Sequence, residues 1–312
     1  MKHGNMHPIK QFVPKKQTAR EILEQFSGIS FQARQLGRAY EICKEMIADK
    51  NCSVILTLSG ALVPAGLRLC VSEMIKSGWV QAIVSTGANL THDLANAFGE
   101  EYLYWSGKEK DEELRRKKTS RIYDVISPDS SSIKMEKELQ KILAEISGEH
   151  APSSLLREIG NRISDKDSIV GSAAKNNVPI YCPALSDSIL GFQIWMRQQD
   201  HDLKVNEMKD LQKIFDWMYE LRAAKKKTGA IILGGGVPKN YAIQAALLPE
   251  KPHDYLVQIT TDNPVFGGLS GASLEEGISW GKVKPRAKLA SVVCDCTIAF
   301  PLIVSALKEE KL

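Results

Sequence analysis

The chain has 312 residues, of which 43% are hydrophobic and 25% are charged. These values are ordinary for a globular protein, and they exclude a disordered chain, a collagen and a small disulfide-stabilised scaffold. The 41 basic and 37 acidic residues leave a net charge of +4. Because this charge is weak and evenly spread, we expect no nucleic-acid partner.

The distribution of apolar residues argues against a membrane protein or an exported one. No apolar run approaches the roughly 18 uncharged residues that a membrane-spanning helix needs. The first residues are basic and have no apolar core of the kind found in a secretory signal. We therefore expect no membrane partner and a cytoplasmic protein. The spacing of the six cysteines matches no zinc pattern, so we predict no metal site.

Short apolar runs that alternate with amphipathic stretches predict an α/β fold. The runs are unbroken, which is typical of strands buried on both faces of a parallel sheet. The predicted strands are Ser53–Leu58, Gln81–Ser85, Val178–Tyr181, Ala230–Leu233, Tyr255–Ile259 and Ala290–Val293. Helical spacing of apolar residues predicts helices over Phe31–Ala48, Lys134–Ile146 and Val205–Ala224.

These elements predict a single large domain, with a mostly parallel sheet flanked by helices. Residues 105–150 are polar and contain the turn-like segment Pro128–Ser132 before an amphipathic stretch. We expect them to form a helical insertion that covers the sheet. Residues 1–16 are expected to be a flexible arm, which leaves residues 17–312 as the folded domain.

Small and polar residues follow several predicted strands, at the edge where open α/β sheets bind ligands. Ser59–Ala61 follows the first strand, and Thr86–Ala88 follows the second. Each turn could offer backbone N–H groups to a phosphate, or could simply connect a strand to a helix. Gly234–Gly236 follows the fourth strand, and three glycines let a ligand approach the backbone closely. We favour a binding role for that turn.

Later segments hold the candidates for acid–base and covalent chemistry. Lys282 lies close to Trp280 and Glu276 in the sequence. Burial against an apolar wall lowers the pKa of a lysine, and imine formation needs a neutral amine. A solvated lysine after a turn is the alternative. Asp295 could cap the next helix or bind a ribose hydroxyl, and His92 could be a general base or a structural residue.

Four ordered motifs together resemble the deoxyhypusine synthase family. They are CPALSD at Cys182–Asp187, GGGV at Gly234–Val237 with Lys239, SWGK at Ser279–Lys282 and FPL at Phe300–Leu302. A weaker similarity over Phe31–Ala39 extends the resemblance to most of the chain. It implies a Rossmann-like single domain, bound NAD, and a homotetramer whose active sites are shared between paired subunits.

The resemblance also implies an enzyme of polyamine biosynthesis, an NAD-dependent transferase. In this reaction hydride passes to NAD from the carbon beside an amine, and the resulting imine carries an aminobutyl group. An active-site lysine captures that group as a new imine, an acceptor amine displaces the lysine, and the stored hydride reduces the product.

Matching the motifs residue by residue implies the roles of the site residues. Lys282 corresponds to the imine-forming lysine, Trp280 to the wall along the aliphatic chain, and Glu276 to an acid of the polyamine pocket. The other expected substrate-binding residues are His92, Asn240 and Gln244. The residues expected to surround NAD are Ser59, Gly60, Thr86, Gly87, Ala88, Asp187, Gly235, Gly236, Thr261, Ser270, Asp295 and Cys296.

Departures from the eukaryotic synthase concern the substrate. Two aspartates that hold the polyamine there correspond to Phe192 and Leu269 here, and a buried ammonium needs such partners. The GGGVPKN and LSGA segments instead look like a bacterial and archaeal branch that is linked to homospermidine formation. We therefore predict aminobutyl transfer that forms a polyamine such as homospermidine from putrescine.

Two alternatives stay open at this point. The first is deoxyhypusine synthase proper, which transfers aminobutyl from spermidine to a lysine of a translation factor. The second, from another class, is an NAD-binding protein without transferase activity, since a fold can outlive its chemistry.

Overall fold

A computed structural model describes residues 8–310 and 312. The strands of this part of the chain are Cys52–Leu58 (β1), Ala82–Ser85 (β2), Leu103–Tyr104 (β3), Thr119–Ile122 (β4), Val125–Pro128 (β5), Gly148–His150 (β6), Ile180–Tyr181 (β7), Leu203–Val205 (β8), Lys227–Leu233 (β9), His253–Thr260 (β10) and Val283–Val293 (β11). The helices are Ala19–Gly28 (α1), Phe31–Ala48 (α2), Arg68–Lys76 (α3), Gly87–Ala97 (α4), Asp111–Arg116 (α5), Asp129–Ala144 (α6), Pro152–Gly160 (α7), Ile169–Lys175 (α8), Ile189–Gln198 (α9), Met208–Ala223 (α10), Gly236–Gln244 (α11), Glu276–Ser279 (α12) and Cys296–Glu309 (α13).

The centre of the fold is a six-stranded sheet in the order β11-β10-β9-β1-β2-β7. Every neighbouring pair in it is parallel. Each of the six predicted strands overlaps one of these six, although the predictions for β2 and β7 begin one and two residues too early. The predicted fold class is confirmed. Parallel strands need crossover connections, and helices supply most of them on both faces of the sheet.

Alternating residues of β1 show how the sheet is buried on both faces. Leu56 and Leu58 point into one core, which contains Tyr40 of α2 and Phe300 of α13. Ile55 points into a second core, together with residues of α10 and α11. Successive side chains of a strand face opposite sides, so a strand between two helix layers must be apolar throughout. That requirement explains the unbroken apolar run in the sequence.

The topology reverses between β1 and β9. The chain leaves β1 through α3 to reach β2 on one side, whereas β9 lies against the other side of β1. In open α/β sheets such a reversal leaves a crevice at the carboxyl ends of the strands, and ligands bind there. The turns after β1 and β9, which contain Ser59–Ala61 and Gly234–Gly236, flank this crevice.

The insertion differs from the prediction in its strands. Residues 105–150 contain α5 and α6, but also β4 and β5, which form an additional antiparallel sheet with β3 just before the insertion. These strands are only two to four residues long, which is too short to show an alternating apolar pattern. The predicted helix from Val205 also starts too early, because Val205 pairs with His150 between β8 and β6.

The predicted arm is described only in part, since residues 1–7 lie outside the described residues. Residues 8–16 contain no helix or strand and contact α1. The backbone N–H of Lys10 donates to the Gly28 carbonyl at 3.0 Å, and that of Val13 donates to Gln25 Oε1 at 2.8 Å. Within residues 8–310 and 312, no helix has the length and apolar character needed to cross a membrane.

Candidate active site

The turns after β1, β9 and β10 meet at the crevice. Ser59 Oγ donates to the Gly235 carbonyl at 2.5 Å, and the Gly234 N–H donates to the Ile259 carbonyl at 2.8 Å. Gly235 lies so close to Ser270 that a Cβ on it would collide with the Cα of that residue. Glycine is required there because two backbones approach each other.

Two other glycines border open space in which a dinucleotide could bind. Gly60 and Gly236 have φ angles of +84° and +58°, and a Cβ on either would meet no atom within 4 Å. They therefore border open space above the sheet edge. Among the described residues, the N–H groups of Gly87 and Ala88 at the start of α4 have no acceptor. Free N–H groups at a helix start suit a phosphate, so the crevice is compatible with NAD.

The remaining residues expected around NAD lie along the same edge. Thr86 caps α4, Thr261 follows β10, and the exposed Asp187 follows β7. Burial raises the pKa of the Cys296 thiol to about 11, which keeps it protonated. Asp295 caps α13 by accepting from the N–H of Thr297 at 2.7 Å. The other carboxylate oxygen of Asp295 could still accept a hydrogen bond from a ribose hydroxyl, so that alternative stays open.

A cavity of about 340 Å³ lies beside this crevice. Lys282, Trp280, Glu276 and Asn240 all line it, so four of the six predicted catalytic and substrate-binding residues come together. Leu269 also lines it. Among the described residues that line the cavity, Glu276 carries the carboxylate, and Lys239 and Lys282 carry the amino groups.

Local structure holds Lys282 at the start of β11. Gly281 takes a φ angle of +69°, which ends α12 and turns the chain. The backbone N–H of Lys282 donates to the Gly277 carbonyl at 2.9 Å, and its carbonyl accepts from His253 at 3.0 Å. Its Nζ lies 5.4 Å from the ring centroid of Trp280, within the range of a cation–π contact.

The other two predicted substrate residues lie elsewhere. Gln244 is exposed, one helical turn from Asn240, whose Nδ2 donates to it at 3.2 Å. His92 lines a separate cavity of about 230 Å³, between α4 and the insertion. Its Nδ1 lies 2.7 Å from the hydroxyl of Tyr102, and burial lowers its pKa. A single chain therefore does not bring His92 to Lys282.

Lys239 was noted in the sequence only as part of the glycine motif. It is 4% exposed, and its Nζ donates to Gln258 Oε1 at 2.9 Å and to the Ala272 carbonyl at 2.5 Å. Burial lowers the pKa of this ammonium to about 8, against the opposing effect of Glu276 and Asp262. One signal in the sequence could have identified Lys239. It follows a glycine turn and a proline directly, and it lies between apolar positions of a helix.

His253, whose N–H supports Lys282, makes folding sensitive to acid. It is fully buried, and this burial lowers its pKa from 6.5 to about 4. Between these values the unfolded chain binds one proton more than the folded chain, so stability falls as the pH drops below 6.5. The loss is about 3 kcal/mol by pH 4. Urea titrations of His253→Gln should show a shallower pH dependence below 6.5, and an unchanged slope would contradict this assignment.

The fold and the site define a class: an α/β protein that combines a dinucleotide-compatible crevice with an adjacent cavity holding a lysine, a carboxylate and a tryptophan. The family model of deoxyhypusine synthase matches residues 21–307. The chain belongs to the deoxyhypusine synthase family, which confirms the resemblance seen in its motifs. This is a family of NAD-dependent aminobutyl transferases, so the predicted enzyme class is also confirmed.

Curated relatives agree with this assignment. The probable deoxyhypusine synthase of Methanosarcina thermophila is 39% identical over 292 residues, covering 93% of this chain and 91% of that protein. The probable deoxyhypusine synthase 1 of Archaeoglobus fulgidus is 40% identical over 289 residues, covering 93% of both. A crystal structure from Entamoeba histolytica described by the same family name has a TM-score of 0.66 at 23% identity, over 92% of this chain and 91% of that one. It shares the fold.

Proposed function

We propose that the chain is a deoxyhypusine synthase, which transfers the aminobutyl group of spermidine to a lysine of a translation factor. The observation that carries the proposal is the cavity that brings Lys282, Trp280 and Glu276 together beside the crevice. The names of the archaeal relatives support a protein acceptor over the free diamine that we predicted from the sequence. The predicted homospermidine reaction therefore becomes the second candidate.

In this proposal each side chain around the cavity has a distinct task. Lys282 supplies the amine that captures the aminobutyl group as an imine. Glu276 pairs with a substrate ammonium, because a cation taken out of water needs a charged partner. Trp280, which lines the cavity, would lie along the aliphatic chain of the amine. Asn240, supported by Gln244, offers a polar contact at the cavity wall.

NAD is proposed to bind in the crevice, where it would supply the acceptor for hydride. The turns Ser59–Gly60, Thr86–Ala88 and Gly235–Gly236 would face it, together with Asp187, Thr261, Ser270, Asp295 and Cys296. The catalytic unit is residues 17–312, with residues 105–150 as an insertion. We extend the proposal to a homotetramer with shared active sites, in which His92 would act in the cavity of a neighbouring subunit.

Homospermidine formation is supported by one observation about charge. Leu269 lines the cavity where the eukaryotic synthase has an aspartate. Phe192, which corresponds to a second such aspartate, lies on α9 and does not line this cavity in the single chain. With fewer carboxylates, the cavity would favour a diamine such as putrescine, which carries one positive charge fewer than spermidine.

A competition between acceptors tests the proposal. The purified protein is incubated with NAD, isotope-labelled spermidine, a translation factor with its acceptor lysine, and free putrescine. Mass spectrometry of the factor and chromatography of the amines then measure both products. We expect label on that lysine, and none on a factor in which arginine replaces it. Labelled homospermidine with an unmodified factor would favour the second candidate, and no product in either fraction would favour a protein without transferase activity.

A further inference from the structure

Two buried polar side chains connect the glycine turn to the loop that walls the cavity. Gln258, which is 2% exposed, donates from Nε2 to the Gly234 carbonyl at 2.9 Å and to the Ser270 carbonyl at 2.7 Å. Lys239 donates to Gln258 Oε1 and to the Ala272 carbonyl. The two side chains thus bond to each other, to the turn after β9 and to the loop after β10.

The same turn and loop border the two proposed ligands. Residues 234–236 flank the crevice proposed for NAD, whereas residues 267–273 contribute to a wall of the cavity and face the crevice through Ser270. The N–H of Gly236 also donates to Ser270 Oγ at 3.0 Å, which adds a direct link. The turn and the loop are therefore linked by buried hydrogen bonds, whose loss would leave unpaired polar groups.

The chemistry of Lys239 argues against a simple structural role as an ion pair. In the described part of the chain its acceptors are an amide oxygen and a backbone carbonyl, both neutral. A buried lysine without a carboxylate partner is costly, which is reflected in its lowered pKa. Lys239 also lines the cavity, next to Asn240.

We propose that Lys239 is a positioning residue that couples the dinucleotide crevice to the amine cavity. This inference rests on the proposed function. Binding in the crevice fixes the glycine turn, and Lys239 with Gln258 then fixes the cavity loop in the shape that accepts the amine. Because coupling between two sites is reciprocal, each ligand raises the affinity for the other by the same factor.

Calorimetric titrations of the full chain test the coupling. The dissociation constant of spermidine is measured without cofactor and with saturating NADH, which occupies the same crevice but cannot accept a hydride, so that no reaction follows binding. The ratio of the two constants is compared among variants. We expect a ratio of about 5 to 150 in the natural protein, the usual range for coupled sites. In Lys239→Met and in Gln258→Met the ratio should fall to within about twofold of one.

Lys251→Met is the matched control. Lys251 is a buried lysine, 7% exposed, at the opposite end of β10, where it pairs with Asp254 at 3.5 Å. Its replacement should lower stability but keep the ratio, because it touches neither loop. A Lys239→Met protein that folds and keeps the natural ratio would overturn the inference.

Hydrogen–deuterium exchange on the natural protein gives a test that needs no variant. NAD alone should slow exchange both in residues 234–236 and in residues 272–277, which contribute to the cavity lining and include none of the residues proposed to face NAD. Slower exchange confined to the turn would overturn the coupling while leaving the proposed function intact. No NAD binding at all would overturn the proposed function and, with it, this inference.

Discussion

Replacement of Lys282 by methionine is expected to reduce aminobutyl transfer by about 10⁴-fold or more, the scale seen when a covalent nucleophile is removed. Methionine fills a similar volume and keeps an apolar stem against Trp280, but it has no amine to form an imine. The affinity for NAD should stay within about threefold, because Lys282 lines the cavity and not the crevice. Turnover with spermidine and the dissociation constant of NAD are the measurements.

Lys288→Met provides the matched control for this substitution. Lys288 lies on β11, the strand that directly follows Lys282. It is exposed, and it pairs with Glu45 at 2.5 Å, away from the residues that line the cavity. Its replacement should leave turnover unchanged. If Lys282→Met kept more than about a tenth of the natural activity, the imine would have to form on another amine. The buried Lys239 would be the next lysine to test.

The largest effect on stability is expected at Asp93, next to His92 in α4. Asp93 is fully buried and accepts from Arg68 Nε at 2.6 Å and from Ser168 Oγ at 2.8 Å. Its oxygens also accept from the N–H groups of Ile169 and Val170, both at 2.9 Å, at the start of α8. Asp93→Ala would leave these donors without their acceptor and Arg68 with Asp165 as its remaining carboxylate partner, so we expect a loss of about 3–5 kcal/mol.

Urea denaturation followed by circular dichroism measures this loss. Asp111→Ala is the control, because Asp111 also pairs with an arginine, Arg121, at 2.7 Å, but in solvent. Its removal should leave the urea midpoint unchanged, since exposed ion pairs contribute little. Equal midpoints for the two variants would show that the buried network around Asp93 is not a major source of stability.

The sheet was predictable because burial on both faces leaves a direct trace in the sequence. Each central strand is an unbroken apolar run, and all six were found, although β11 begins at Val283 instead of Ala290. The early part of β11 has the sequence VKPRAK, whose charged residues hide the strand. The strands β3, β4 and β5 were missed because, at two to four residues each, they are too short to show a pattern.

The site was only partly predictable because sequence does not reveal strand order. Lys282, Trp280 and Glu276 are neighbours along the chain, and β9 lies beside β10, so Asn240 joins them. His92 follows β2, and β1 and β9 separate β2 from β10. That order places His92 in another cavity of the same chain. Lys239 was missed as a site residue because its burial depends on contacts with residues 258 and 272, which are distant in the sequence.

The most direct test of the account is to trap the aminobutyl imine on Lys282. The protein is incubated with NAD and spermidine, treated with borohydride to reduce any imine to a stable amine, digested, and mapped by mass spectrometry. We predict an aminobutyl adduct on the peptide that contains Lys282, absent when NAD is omitted. An adduct on a different lysine, or product formation with no adduct on any lysine, would contradict the account.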